Sequence, residues 1–159
     1  MRRIASSDVD VLHRIWTDPD VRRFLWDDVV IDRETARAVV DASVRDWEEH
    51  GYGLWILEDD AGNAIGFAGF RSSEERPEPE LLFGLLPSAW HRGIVTAAAR
   101  AALQYLAENT SIQRVWAATD VPNTASVRVL ERLGMTFDRR ETIDGRDTLF
   151  YVRSLRGLE

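Results

Sequence analysis

The segment 87–96 holds the residues that are best suited to bind an anion. It follows an apolar run and leads into an alanine-rich stretch, which predicts a helix that starts at Gly93. The first backbone N–H groups of a helix have no partner within it, and the helix dipole adds positive charge there, so such a start can bind phosphate. Gly93 allows a tight turn, and Arg92 adds a positive charge. An ordinary connection between a strand and a helix would contain the same residues, so both interpretations stay open at this point.

A second segment, 123–135, places two small polar residues at the start of another predicted helix. Asn123 stands just before this helix, which we expect over 124–133 with a stop at Gly134, and Ser126 lies in its first turn. By their chemistry alone, Asn123 would cap the helix and Ser126 would bond to nearby backbone groups. Contacts with a ligand are the alternative.

Together the two segments resemble the cofactor-binding motifs of the GNAT superfamily of N-acetyltransferases. The pyrophosphate loop of that family reads Gln or Arg, two residues, Gly, one residue, and Gly or Ala. Trp90, Gly93 and Val95 stand at the three defined positions. Trp90 and Val95 depart from the pattern, and His91 stands where the subgroup that acts on protein N-termini usually has glycine. The His91 amide must therefore reach a phosphate past a larger side chain.

The downstream segment is similar to the second block of the same subgroup, which spaces Asn, Ser, Glu, Gly and Phe or Met along one helix. Every position of this block is matched, by Asn123, Ser126, Glu131, Gly134 and Met135. The resemblance extends over almost the whole chain. It makes the chain similar to the ribosomal-protein alanine and serine N-acetyltransferases.

The resemblance implies that acetyl-CoA is the co-substrate and that a primary amine attacks its thioester directly in a ternary complex. It also implies that the pantetheine arm adds to the edge of the strand with Phe83 and Leu85, where a backbone N–H binds the oxyanion. Asn123 would bond the pantetheine or phosphate end, and Ser126 would lie near the sulfur. The expected pyrophosphate ligands are the loop and first-turn residues His91, Arg92, Gly93, Ile94, Val95 and Thr96.

Glu80 is the first candidate for the general base, because it matches the glutamate before this strand in many relatives. A carboxylate with a raised pKa could take the proton of an ammonium group directly or through water. Glu75, Glu78 and Glu80 also form a charge-rich edge, where a glutamate is usually a solvated charge. Leu130 replaces the tyrosine acid of many relatives. Either Ser126 holds the sulfur or relays a proton, or no acid is needed because a thiolate leaves readily.

An acidic and aromatic group near the start of the chain has two interpretations. It could line the acceptor side and receive a cationic amine. The carboxylates could instead cap helices and form turns around core tryptophans, which is the interpretation that we favour. The members are Asp18, Asp20, Asp27, Asp28 and Asp32, with Trp16 and Trp26.

The composition bears on the other classes of partner and site. The 20 Lys and Arg against 27 Asp and Glu give a net charge of -7, which repels nucleic acid and mildly favours a cationic acceptor. The absence of cysteine excludes disulfides and thiolate metal sites and fits a reducing cytoplasm. His13 and His50 have no ligand partner nearby in the sequence, so we expect no metal. We find no signal peptide and no run of about 18 apolar residues, so we expect no membrane contact.

The predicted elements follow the order α-α-β-β-β-α-β-α-β-β in a single domain, 1–159. The first helix opens near Asp8 and ends at Pro19, and the second begins after Asp32 and ends at Gly51. We expect strands over 52–58, 64–71, 81–86 and 114–119, and on both sides of the turn 144–145. Gly84 indicates a bulge or a close backbone approach. The expected class is α/β (α+β), a mixed and mostly antiparallel sheet with flanking helices and a short first strand, 2–4.

Rival interpretations concern the chemistry more than the fold. A non-catalytic acyl-CoA-binding or sensory module would keep the cofactor site and lose the reaction, and His91, Val95 and the missing tyrosine motivate it. A purely structural domain would bind no CoA. The acceptor is either a protein N-terminal amine or a small amine such as an antibiotic or a polyamine, and a homodimer is left open.

Overall fold

A computed structural model describes residues 1–157 and places seven strands in one sheet, in the order β1-β2-β3-β4-β5-β7-β6. Neighbouring strands are antiparallel except β4 and β5, which are parallel. The mixed, mostly antiparallel sheet predicted from the sequence is confirmed, and residues 158–159 of the predicted domain lie outside the described part. The strands are β1 (Arg2–Arg3), β2 (Leu54–Glu58), β3 (Ala64–Arg71), β4 (Glu80–Leu85), β5 (Arg114–Asp120), β6 (Thr136–Ile143) and β7 (Arg146–Ser154).

Helices cover both faces of this sheet. On one face, α1 and α3 bury residues such as Leu12 and Val40 against Phe67 of β3. On the other face, Leu103 of α4 and Leu130 of α5 pack against β5 and β7. Within the described residues, none of the helices has both the length and the apolar composition that crossing a membrane requires. The α-helices are α1 (Val9–Thr17), α2 (Pro19–Leu25), α3 (Arg33–His50), α4 (Ile94–Asn109) and α5 (Thr124–Arg132).

Pro19 has a second effect that the sequence prediction lacks. The first helix does end before it, at Thr17, but Pro19 also begins α2. The Asp18 carboxylate accepts hydrogen bonds from the N–H groups of Asp20 at 3.0 Å and Val21 at 3.3 Å. Proline is tolerated at the first helical position because its missing N–H would have no helical partner there. The residue that stops one helix therefore starts the next.

Most other predicted boundaries are close to the observed ones. Asp32 caps α3 by accepting from the Thr35 N–H at 2.8 Å, and Gly51 ends that helix with a φ of 75°. The first strand is short, as predicted. One small shift bears on function: β4 covers Glu80–Leu85 instead of 81–86, so Glu80 lies inside the strand and not in the loop before it.

Gly84 marks a close approach and not a bulge. The register between β3 and β4 is continuous from Gly66 to Arg71. A β-carbon at Gly84 would lie 2.7 Å from Cε1 of Phe67, a separation at which atoms must move. The aromatic ring of Phe67 therefore occupies the space that a side chain on this strand would need.

Candidate active site

In the described part of the chain, a single register pair joins β4 to β5, and the strands separate beyond it. Glu80 is the register partner of Trp116, whose N–H donates to the Pro79 carbonyl at 3.2 Å. β4 nevertheless continues to Leu85 and β5 to Asp120. The sheet therefore contains a gap with a closed end at Glu80 and an open end at Leu85.

The edge of β4 that faces this gap carries free backbone groups. Positions along an antiparallel ladder alternate between residues that bond to the neighbouring strand and residues that point away from it. The Leu86 N–H donates to the Ile65 carbonyl at 2.8 Å, so Gly84 also bonds toward β3. By the same alternation, the backbone groups of Phe83 and Leu85 point toward the gap, where a strand-like ligand can pair with them.

The open end of the gap leads to the start of α4, where a row of amides is free. Among residues 1–157, none of the six N–H groups from His91 to Thr96 donates to another protein atom. Gly93 precedes the helix with a φ of 71°, and no side chain caps it. Uncapped N–H groups and the helix dipole together form a site for an anion such as phosphate.

The loop before α4 adopts a conformation that explains one departure from the resembling motif. His91 has a φ of 58°, in the left-handed region that glycine adopts without strain and other residues rarely enter. The backbone therefore has the shape that a glycine at this position would give. Arg92 is exposed, and its guanidinium forms no ion pair in the described residues, so its charge is available to a ligand.

Asn123 and Ser126 form the start of α5. The Asn123 Oδ1 accepts from the Ser126 N–H at 3.2 Å, so Asn123 is a helix cap, as its chemistry alone predicts. The Ser126 side chain is half-buried, and its hydroxyl has no hydrogen-bond partner within residues 1–157. Capping uses one oxygen of Asn123 and leaves its amide nitrogen for another contact.

Glu80 is buried, with 5% of its surface exposed, and Nε of Arg71 donates to its Oε2 at 2.6 Å. Burial raises the pKa of the Glu80 carboxyl above its ordinary value, although the charges of Arg71 and Arg76 oppose the rise. The interpretation as a solvated loop charge is therefore wrong for Glu80. A buried carboxyl with a raised pKa is a candidate proton acceptor.

Comparison with known proteins decides the family. The model of the acetyltransferase (GNAT) domain matches residues 1–136. The chain belongs to the GNAT acetyltransferase family. It is similar to an uncharacterized N-acetyltransferase, p20, from Bacillus licheniformis, with 25% identity over 138 residues that cover 84% of this chain and 76% of that protein.

Solved structures share the GNAT fold. RimL, a ribosomal L7/L12 alpha-N-protein acetyltransferase in complex with coenzyme A, has a TM-score of 0.79 at 21% identity and covers 96% of this chain and 92% of its own. Spermidine N-acetyltransferase from Vibrio cholerae, in complex with CoA and spermine, has a TM-score of 0.78 at 14% identity and covers 97% and 94%. At such identities, the likeness establishes the fold of this GNAT enzyme and leaves its acceptor open.

The predicted site residues of this GNAT enzyme lie around the gap but on different faces of the sheet. Side chains alternate along β4, and Leu81 belongs to the α4 and α5 core, so Glu80 points to the opposite face. Ser126 belongs to α5 and lies on the α5 face. The gap thus separates the candidate base from the candidate sulfur contact, and no direct contact joins the two side chains in the described structure.

The acidic group near the chain start acts mainly as caps and turns. Asp18 and Asp32 cap helices, and Asp28 pairs with Arg22 at 3.1 Å. Trp16 is buried and contacts the ring of Trp26 edge-on, with ring centroids 5.8 Å apart. The interpretation that we favoured is confirmed for these residues.

Asp27 is the exception, because it contacts Arg146, which also lies near the end of β5. Its carboxylate lies 3.4 Å from Nη1 of Arg146 on β7, and the same nitrogen lies 3.5 Å from Oδ2 of Asp120 at the open end of β5. Sequence reasoning missed Arg146 and Asp120, since nothing in their local spacing predicts that α2 and the final hairpin meet there. Alternation along β5 could have placed Asp120 on the same face as Trp116.

The remaining expectations concern a proton donor and metals. Position 130, where many relatives have a tyrosine, is a leucine that is buried in the core at 1% exposure. It therefore supplies no proton donor. Thr119 is also buried, and its Oγ1 has no hydrogen-bond partner in the described structure.

Nε2 of His13 lies 2.8 Å from the Ile31 carbonyl, and His50 stacks on Tyr52. Residues 1–157 contain no group of three or more side chains that could hold a metal ion.

Proposed function

We propose that this protein transfers the acetyl group of acetyl-CoA to a primary amine, by direct attack of the amine on the thioester. The gap between β4 and β5 carries the proposal, because it joins a free strand edge to the six free amides at the start of α4. Acetyl-CoA has a matching order of groups: a diphosphate, an arm with two amides, and the reacting carbonyl.

The cofactor occupies the gap in this proposal. The N–H groups from His91 to Thr96 bind the pyrophosphate, with the charge of Arg92 beside them. The pantetheine arm pairs with the backbone of Phe83 and with the N–H of Leu85 as an added strand, since the Leu85 carbonyl already accepts from Nε1 of Trp90. A backbone N–H on this edge then stabilises the oxyanion that forms at the thioester carbonyl. The amide nitrogen of Asn123 contacts the arm from the side of α5.

The amine approaches from the face that carries Glu80. Glu80 accepts a proton from the acceptor ammonium, directly or through water, and the neutral nitrogen attacks the carbonyl carbon. The C–N bond forms, the C–S bond breaks, and the electron pair leaves on the CoA sulfur. The second proton of the nitrogen passes to the departed thiolate, directly or through water. Ser126 lies on the opposite face, on the side where the thiolate departs. A thiolate is a stable leaving group near neutral pH, so a dedicated acid is not required.

The acceptor remains one of two classes, a protein N-terminal amine or a small amine. The match of the block from Asn123 to Met135 favours the protein N-terminal amine, and the net charge of -7 favours a cationic acceptor in either class. A cytoplasmic location belongs to the same proposal, since a chain without cysteine suits a reducing compartment.

Calorimetric titration with acetyl-CoA tests the cofactor site through the substitution Gly93→Glu. Gly93 has a φ of 71° and open space around a β-carbon, so the new carboxylate would lie beside the proposed pyrophosphate. Gly62→Glu is the matched control, because Gly62 has a φ of 81° and equally open space in the turn between β2 and β3. We expect saturable binding by the parent and by Gly62→Glu, and none by Gly93→Glu.

The outcomes separate the rival interpretations. Absence of binding by the parent would contradict both the enzyme and the sensory module. Binding without acetylation of any amine in a screen of peptides and polyamines would favour the sensory module. Equal acetyl-CoA affinity of all three proteins would show that the phosphates do not bind at the start of α4.

A further inference from the structure

Trp90 combines a partly exposed side chain with a hydrogen bond to the end of β4. The residue is 41% exposed, in the loop before α4, yet its indole Nε1 donates to the Leu85 carbonyl at 2.9 Å. A single hydrogen bond of this kind contributes only modestly to stability. The bond links two parts of the candidate site.

The accepting carbonyl belongs to the free edge of β4. The register shows that the backbone groups of Leu85 point toward the gap, and the Leu86 N–H fixes the opposite edge to Ile65 at 2.8 Å. The strand ends at Leu85, and the chain then turns through Pro87–Ala89 to reach Trp90. Trp90 thus reaches back over this turn and fastens the phosphate-binding loop to the last residue of the arm-binding edge.

We propose that Trp90 is a positioning residue that holds the free amides of His91 to Thr96 at a fixed distance from the edge at Phe83 and Leu85. The inference rests on the proposed function, because it assigns the two parts to the two ends of one ligand, a diphosphate and an amide-containing thioester arm. Trp90 replaces the polar residue of the resembling motif, and its N–H provides this contact. It also removes the Leu85 carbonyl from the acceptors that are available to the arm.

The physical effect is one of effective concentration. When a ligand binds through two linked parts, the second contact forms readily only if the protein holds both subsites at the matching separation. Loosening that separation weakens the whole ligand and leaves each part alone almost unaffected. This pattern distinguishes a positioning residue from one that merely shapes the phosphate loop.

The experiment compares Trp90→Phe with the parent for three ligands: acetyl-CoA, adenosine 3′-phosphate 5′-diphosphate and acetyl-pantetheine. Phenylalanine keeps an aromatic ring and loses the N–H. Dissociation constants come from calorimetry for acetyl-CoA and from competition against it for the two fragments. We expect Trp90→Phe to weaken acetyl-CoA about tenfold, and both fragments to bind as they do to the parent, within about twofold.

Two further variants make the comparison strict. Trp90→Gln places an amide nitrogen as many bonds from Cα as the indole nitrogen, so it should restore acetyl-CoA binding to within about threefold of the parent. Trp47→Phe is the matched control, because Nε1 of Trp47 donates to the Leu54 carbonyl at 3.0 Å between α3 and β2. It loses the same kind of bond outside the site, and we expect the affinity of the parent.

Several results would overturn the proposal. Unchanged acetyl-CoA affinity in Trp90→Phe would do so, and so would a Trp90→Gln variant that is as weak as Trp90→Phe. An equal loss for the diphosphate fragment would assign Trp90 to the shape of the loop alone. Failure of the proposed function has a different signature, since the parent itself would then not bind acetyl-CoA.

Discussion

The two ends of β4 differ in how their polar groups are satisfied. At the closed end, Glu80 is buried, its Oε2 accepts from Arg71, and it stands in register with Trp116, so contacts within the protein hold it in place. At the open end, the backbone of Phe83 and Leu85 and the amides before α4 mostly lack protein partners. Contacts within the protein fix the candidate base, whereas the free backbone groups are suited to bind a ligand. A strand of six residues can therefore carry both the candidate base and the candidate binding edge.

Among these predictions, we expect the largest change from a substitution of Glu80 at the closed end, where kcat should fall. We expect Glu80→Gln to lower kcat about 100-fold and to leave acetyl-CoA affinity unchanged, because the amide cannot take a proton but keeps the shape of the buried side chain. Steady-state rates and calorimetry on the same preparations give the two numbers. Glu75→Gln, which removes an exposed carboxylate from the preceding loop, is the control and should keep the parent rate. A loss of affinity with an unchanged kcat would place Glu80 among the binding groups.

The dependence of stability on pH sharpens the same contrast. Burial raises the pKa of Glu80 in the folded protein above its value in the unfolded chain. The stabilisation is therefore fully present below the unfolded pKa and is lost as pH rises through the folded pKa. We expect the free energy of unfolding of the parent to fall relative to that of Glu80→Gln across this window. Urea denaturation at a series of pH values measures it, and parallel curves for the two proteins would contradict the assignment.

Among these predictions, we expect the smallest change from a substitution of His91 at the open end. His91→Gly should raise the free energy of unfolding by about 0.5 kcal/mol, since relief at a φ of 58° outweighs the entropy of the added glycine. Asp144→Gly, with a φ of 50° in the final hairpin, gives the same relief outside the site. Acetyl-CoA affinity should rise only in His91→Gly, because its amide then approaches the phosphate more closely. An equal change of affinity in both variants would show that the His91 side chain does not hinder the cofactor.

The open end could be predicted from the sequence largely because its signals are local. Gly93, the alanine-rich helix after it and the spacing of Asn123 from Ser126 lie within short segments, and the turn chemistry of these residues is the same in any fold. The sequence also marks His91 as a position where the resembling subgroup has glycine, whereas its positive φ of 58° is found only in the structure.

The burial of Glu80 and the contact between Asp27 and Arg146 could not be predicted, because distant segments create them. The burial of Glu80 depends on β3, which brings Arg71 beside it, and on β5, which brings Trp116. The contact of Arg146 with Asp27 joins residues at the two ends of the chain. Even the start of α2 at Pro19 depends on how the Asp18 side chain turns back onto the helix. The spacing of residues along the sequence does not predict such contacts.

The single register pair between Glu80 and Trp116 also has a kinetic meaning. The hairpins β2–β3, β3–β4 and β6–β7 join neighbours in the sequence, whereas the junction of β4 with β5 must enclose all of α4 in a loop. Contacts of that range form slowly, because the entropy of loop closure is lost before the contacts stabilise the chain. We therefore expect the two halves of the sheet to become ordered first and to meet at this pair late in folding, so that the gap takes shape only as the chain completes its native structure.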